Sequence, residues 1–80
     1  MQTIGNSVKL TPTQAEAIVK LAKNNMNVRA AAREMFMHYN TVHYHVRMIE
    51  RNTGKDPLNF YDLQELLPLA EDVLERSWRE

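Results

Sequence analysis

The segment that decides the fold runs from Asn27 to Gly54 and reads NVRAAAREMFMHYNTVHYHVRMIERNTG. Apolar side chains recur at helical spacing over residues 28–36 and again over residues 42–49. This pattern predicts two short amphipathic helices, joined by a tight turn, within residues 27–53. Such a pair is typical of a helix-turn-helix unit, in which the second helix enters the major groove of DNA.

The first helix of the pair is predicted to begin after Asn27, whose side chain can cap it. Its small alanines matter because two crossing helices need small side chains where their backbones approach. We expect Met37 to reach the core from the turn that follows. The buried stripe of this helix is expected to comprise Val28, Ala31, Ala32, Met35 and Phe36.

The second helix, over residues 40–53, is the predicted recognition helix. Asn40 is expected to cap it, and Gly54 to end it in the left-handed conformation. We expect its inward seam to comprise Val42, Val46 and Ile49.

Two further helices are predicted to flank the pair. Thr11 can cap a helix that begins at Pro12, and Gln14 can close a capping box with it. Asn59 is placed to start a fourth helix, which we expect to kink or break near Pro68. The buried stripe of the first helix is expected to comprise Ala15, Ile18, Val19 and Ala22.

The predicted fold is therefore a small all-α, four-helix helix-turn-helix domain over residues 11–80. A three-helix core is followed by a C-terminal amphipathic helix, and residues 1–10 are expected to form a mostly irregular arm. Eighty residues allow one hydrophobic core domain and no second one. The hydrophobic share of 44% is normal for a globular chain, which argues against disorder.

The absence of cysteine makes a cytoplasmic location the simpler expectation. The apolar runs are too short for a membrane span, and the N-terminal residues lack the core of an export signal, so we expect no membrane contact.

The formal net charge is zero, which is unusual for a DNA-binding chain, but the charge is unevenly spread. Residues 1–27 and residues 28–51 each carry a balance of +2, whereas residues 52–80 carry −4. The first two-thirds of the chain is therefore basic and also holds all three histidines.

The stretch over residues 27–74 resembles the C-terminal DNA-binding domain of PucR-type and sugar-diacid-type bacterial transcription regulators. The resemblance implies a small helical domain that binds operator DNA. In that family the domain usually follows a large ligand-sensing region, and arginine is common where this chain has Tyr39, His43 and His45. The matching features are Ala31-Ala32, Met35-Phe36-Met37, His38, Asn40-Thr41, Tyr44, Ile49-Glu50, Thr53-Gly54 and the leucine-rich final helix.

The outward face of the second helix carries the side chains that suit DNA. Asparagine can pair bidentately with adenine and arginine with guanine, whereas arginines of the preceding helix suit phosphates. A solvated polar helix face is the alternative, and Asn40 can serve simply as a cap. For His38 we expect a structural bond to the backbone. The predicted DNA contacts are Arg29, Arg33, Tyr39, Asn40, Thr41, His43, Tyr44, Arg47 and Arg51.

The residues that catalysis or metal binding would need are missing from the pattern. There is no cysteine, the only serines are Ser7 and Ser77 near the ends, and the two glycines cannot form a phosphate-binding loop. His43 and His45 are two apart on a helix and point in different directions, so they cannot readily share an ion. We expect no enzyme, no metal, no cofactor and no small-molecule site.

The apolar stripe of the fourth helix has two interpretations. It can close a small core, or part of it can face a second copy of the chain, with Leu67, Leu74 and Trp78 at the interface. We favour a homodimer because helix-turn-helix domains gain affinity by binding two half-sites of double-stranded DNA.

The favoured function is sequence-specific DNA-binding transcriptional regulation. The alternative is a non-catalytic protein-interaction module on a helix-turn-helix scaffold, which the neutral net charge favours.

Overall fold

The computed structural model describes the backbone of residues 10–79 and the side chains up to Ser77. The described part contains four helices and no strand, which confirms the predicted all-α class. They are α1 (Pro12–Lys23), α2 (Val28–Glu34), α3 (Tyr39–Thr53) and α4 (Phe60–Arg79). The arm predicted for the N-terminal residues lies outside the described residues, apart from Leu10. Within the described range, no helix combines the length and the apolar character needed to cross a membrane.

Helix α1 begins at the predicted capping box. The Gln14 N–H donates to the Thr11 hydroxyl oxygen at 3.1 Å, and the Thr11 N–H donates to the Gln14 side-chain oxygen at 3.2 Å. With Pro12 in the first helical position, these bonds satisfy backbone donors that the helix itself leaves unpaired. The start of α1 was thus correctly predicted from local sequence.

Helix α1 contacts each of the other three helices, and its buried surface is wider than the predicted stripe. One stripe, with Ile18, packs with residues of α4, while Leu21 packs with residues of α2 and α3. The prediction missed the full burial of Ala17 and Leu21. Val19 and Ala22, which we expected to be buried, are only partly so.

The inward seam of α3 is divided between two hydrophobic clusters. Val42 and Val46 join Leu21, Ala31 and Ala32 in the cluster between α1, α2 and α3. Ile49 instead belongs to the cluster between α1 and α4, which also comprises Ala15, Ile18, Leu63, Leu66 and Ala70. One turn of α3 therefore links the helix-turn-helix pair to the C-terminal helix.

Phe36 corrects the predicted stripe of α2, because its side chain is 95% exposed. The helix ends at Glu34, and Phe36 adopts a left-handed backbone conformation with φ 58°. The Met37 N–H reaches back to the Ala32 carbonyl oxygen at 3.0 Å, and the Phe36 N–H to that of Arg33 at 3.2 Å. This pair of bonds is the Schellman ending, in which glycine usually occupies the left-handed position. Met37 packs against the core, as predicted.

Helix α4 is continuous through Pro68. Pro68 and Gln64 are both exposed, so water can bond the Gln64 carbonyl that proline leaves without its helical donor. We expected either a kink or a break near Pro68. Because the helix continues through this residue, the break is absent and only a kink is compatible with the structure. The predicted cap is confirmed, since the Asn59 side chain accepts the N–H groups of Tyr61 at 3.0 Å and Asp62 at 3.1 Å.

We predict opposite effects for glycine at two left-handed positions. Phe36→Gly relieves backbone strain and removes no buried surface, so it should raise the free energy of unfolding by about 0.5–1 kcal/mol. Gly54→Ala, at φ 76° with no atom within 4 Å of the added Cβ, should lower it by about 1 kcal/mol through the backbone alone. Thermal unfolding should show shifts of roughly 4–8 °C per kcal/mol. A less stable Phe36→Gly variant would show that the phenyl ring contributes contacts which this account lacks.

Candidate nucleic-acid interface

Helix α3 is capped at its first turn by His38. The Asn40 N–H donates to His38 Nδ1 at 3.0 Å, so the imidazole caps the helix. The expected structural role of His38 is thereby confirmed. The expectation that Asn40 caps α3 is wrong, because the helix begins one residue earlier, at Tyr39. Asn40 is exposed in the first turn, where its side chain does not serve as the cap.

Most of the remaining predicted contacts on α3 lie on the side away from its buried seam, whereas Tyr39 packs against the cluster between α1, α2 and α3. Tyr44 is 52% exposed, and His43 is half-buried. The other exposed side chains on this helix comprise four predicted contacts, Asn40, Thr41, Arg47 and Arg51, and two residues that were not predicted as contacts, Glu50 and Asn52. The face of α3 that was predicted to point outward is thus largely its accessible face.

The structure brings three predicted residues together where α2 meets the start of α3. Arg29 and Arg33, both exposed, line a shallow groove of about 290 Å³ with His38 and Tyr39. The Arg29 guanidinium carbon lies 4.4 Å from the centre of the Tyr39 ring. The Tyr39 ring also stacks on His38, with 4.5 Å between ring centres, and meets the edge of His43 at 6.3 Å.

A second shallow concavity, of about 410 Å³, lies further along α3. Tyr44, Arg47 and Arg51 line it together with Met48 and Glu50. The predicted residues therefore form two groups along one surface. One group is centred on Arg29, Arg33 and Tyr39 and the other on Tyr44, Arg47 and Arg51, while Asn40 and Thr41 line neither concavity.

The arginines of this surface keep their charge unneutralised. Glu34 is drawn away from α2 towards α1, with 3.5 Å between its carboxylate and the Lys20 ammonium. The Asn24 side-chain amide, and then Lys20, hold the pKa of Glu34 below its usual value. Within residues 10–77, the other ion pairs join Lys55 to Glu65 and Arg76 to Asp72. None of these pairs involves an arginine of α2 or α3. Glu50 lines the concavity with Arg47 and Arg51, but the four arginines outnumber it, so this surface keeps a net positive charge on a neutral chain.

The second histidine of α3, His45, is partly buried. His45 lies beside the core, and its buried Nδ1 has no hydrogen-bond partner among the described residues. Its ring meets the edge of Tyr44, with 5.6 Å between ring centres.

No three histidine, aspartate or glutamate side chains in the described range are grouped closely enough to hold a metal ion.

The residues predicted for a dimer interface lie along α4. Leu67 and Leu74 are partly buried and pack against the cluster between α1 and α4. Leu67 lines a groove with Met26 and Phe60, and Leu74 lines another with Val19. The Trp78 side chain lies outside the described side chains.

Two short helices joined by a left-handed turn, with an accessible basic face on the second, define a helix-turn-helix module. The family model of the PucR C-terminal helix-turn-helix domain matches residues 15–67. The chain therefore belongs to this family. The match begins within α1, earlier than the resemblance seen in the sequence, and ends just before Pro68. No curated protein and no solved structure compared with the chain matches it.

Sequence reasoning missed two residues that shape this surface. Met48 was not among the predicted contacts, although it lines the concavity with Arg47. Glu34 is withdrawn from α2 by a residue of α1, and no local signal in the sequence shows this. The His38 cap had a partial signal, because histidine directly precedes the polar first turn of α3.

We predict that the histidine cap stabilises the fold independently of any ligand. His38→Ala removes the acceptor of the Asn40 N–H and should lower the free energy of unfolding by about 1 kcal/mol. His38→Asn supplies another capping oxygen and should recover most of that loss. Denaturant unfolding at neutral pH measures both. Equal stability of the alanine variant and the wild-type chain would contradict the capping role.

Proposed function

We propose that the protein is a sequence-specific DNA-binding transcriptional regulator whose helix α3 enters the major groove. The observation that carries this proposal is the accessible face of α3 beside two unneutralised arginines of α2. A helix of 15 residues is about 22 Å long, enough to lie along several base pairs. The major groove, about 12 Å wide, admits such a helix.

The two groups of residues suit different parts of DNA. Arg29 and Arg33, on α2 beside the start of α3, suit phosphates, which fix the position of the protein without reading sequence. On α3, Arg47 suits a guanine edge and Asn40 an adenine edge. Thr41, His43, Tyr44 and Arg51 complete the proposed contact surface. None of the carboxylates of α4 lines either concavity of the proposed contact surface.

We further propose that the active form is a homodimer. Its two copies meet along the line where α1 packs on α4, which we call the α1–α4 seam. Leu67 and Leu74 leave part of their apolar surface in grooves along that seam. Helix α3 packs with α4 through Ile49, near the C-terminal end of its inward seam. A second copy bound to α4 would therefore leave the basic face of α3 accessible. A single copy offers few phosphate contacts, and two copies would reach two half-sites.

The proposed setting is the bacterial cytoplasm, where operator DNA is found, and the proposed role is non-catalytic. The alternative, an interaction module that has lost DNA binding, makes a different experimental prediction. Such a module should show no salt-dependent retention on DNA.

We predict that alanine substitutions of Arg47 and Arg29 weaken DNA binding in different ways. To test this, DNA sequences are first selected from a random pool and then titrated with each variant. Arg47→Ala should cost about 1–3 kcal/mol on the selected sequence and relax the preference at one base pair. Arg29→Ala should weaken binding to all sequences alike and reduce the salt slope by about one unit.

Arg76→Ala is the matched control, because it removes the same charge from an exposed site on α4. It should leave both the affinity and the salt slope at their wild-type values. If no sequence is enriched and no variant alters retention, the chain does not act through α3, and the interaction module is the better account.

For the dimer, we predict that a charge at Leu74 shifts the chain to the monomer. Leu74→Asp places a carboxylate in the apolar seam beside Glu71 and Glu75, so it should raise the dissociation constant by at least about ten-fold. Arg76→Ala makes the same change in net charge at an exposed position on the opposite side of α4, and should leave the dimer intact. Sedimentation equilibrium gives the mass, and circular dichroism checks that both variants stay folded. A monomeric wild-type chain at tens of micromolar would refute the dimer.

A further inference from the structure

Arg29 occupies a position where its positive charge has little local support. It lies in the first turn of α2, where the helix dipole disfavours a cation, and no acidic residue shares that turn. Among the described residues, no carboxylate lies within ion-pair distance of its guanidinium. Its close contact in the structure is the face of the Tyr39 ring, 4.4 Å away.

The Tyr39 ring is itself held in place from several sides. It stacks on His38, meets the edge of His43, and is half-buried against the cluster between α1, α2 and α3. His38 is in turn fixed, because its Nδ1 accepts the Asn40 N–H. The Tyr39 ring is therefore held rigidly. It can support the Arg29 side chain, which is long and flexible and has no fixed position by itself.

An aromatic ring fixes a guanidinium in a way that a carboxylate cannot. A carboxylate partner would order the side chain but cancel its charge, and a phosphate would then have to displace it. The π face attracts the cation and leaves its full charge available for a phosphate. The support also spans the turn, since Arg29 belongs to α2 and Tyr39 to α3.

We propose that Tyr39 is a positioning residue that acts through Arg29: its ring holds the guanidinium ready to bind a phosphate of the DNA backbone. This inference rests on the proposed DNA-binding function. It assigns Tyr39 no contact of its own with a base. Because the phosphate contact is independent of sequence, Tyr39 should affect affinity for all DNA sequences and leave the preferred sequence unchanged.

The first test is a double-mutant cycle on DNA binding. Tyr39→Leu keeps an apolar side chain for the core but removes the π face, so it should weaken binding about two- to five-fold on every sequence. In the Arg29→Ala background, Tyr39→Leu should have no further effect, because the group that it positions is gone. Tyr39→Phe is the rescue variant, and its phenyl ring should recover most of the affinity that leucine loses.

Two results of the cycle would overturn the proposal. Additive losses from Tyr39→Leu and Arg29→Ala would mean that the two side chains act separately. A loss in Tyr39→Phe, or a changed preferred sequence, would mean that the hydroxyl contacts DNA directly.

The second test needs no DNA and separates this inference from the proposed function. The Arg29 side-chain protons should show ring-current NMR shifts in the free protein, retained in Tyr39→Phe and lost in Tyr39→Leu. If the shifts are present but DNA does not bind, the proposed function fails although the ring does order the arginine. If DNA binds but the wild-type shifts are absent, the positioning role of Tyr39 is refuted and the function stands.

Discussion

Burial of α1 along two neighbouring stripes is the constraint on which the remaining structure depends. One stripe packs with α4 through Ile18, and the other packs with the helix-turn-helix pair through Leu21, both fully buried. A domain of this size cannot form two independent cores, so a shared helix lets each cluster stabilise the other. The angle at which α2 and α3 present their basic face is therefore fixed from behind by α1.

Signals within a few residues of one another predicted much of this architecture. The Thr11–Gln14 capping box, the Asn59 cap and the left-handed Gly54 are all where the sequence placed them. Their chemistry is local, because a cap needs only its own side chain and the next turn of backbone. The outward face of α3 followed from helical period alone, since Val42 and Val46 identify its buried side.

The features that the sequence did not predict depend on contacts between distant residues, or on whether a helix continues or ends at a turn. Phe36 continues the apolar period of α2, yet the Schellman ending of the helix turns it fully into solvent. Ile49 lies on the same predicted seam of α3 as Val46, but it packs in the other cluster, with residues of α4 that the pattern of α3 does not encode. The ordering of Arg29 by Tyr39 across the turn is likewise visible only in three dimensions.

The division of the core between near and distant partners also bears on the order in which the domain can form. Contacts between α2 and α3 close a short loop, whereas the stripe of α1 that includes Ile18 must wait for Leu63 and Leu66, almost at the other end of the domain. During synthesis the N-terminal residues emerge first. Within this domain, α1 is synthesised before the other three described helices. It is nevertheless among the last to complete its packing, and until then its apolar stripe remains available to chaperones.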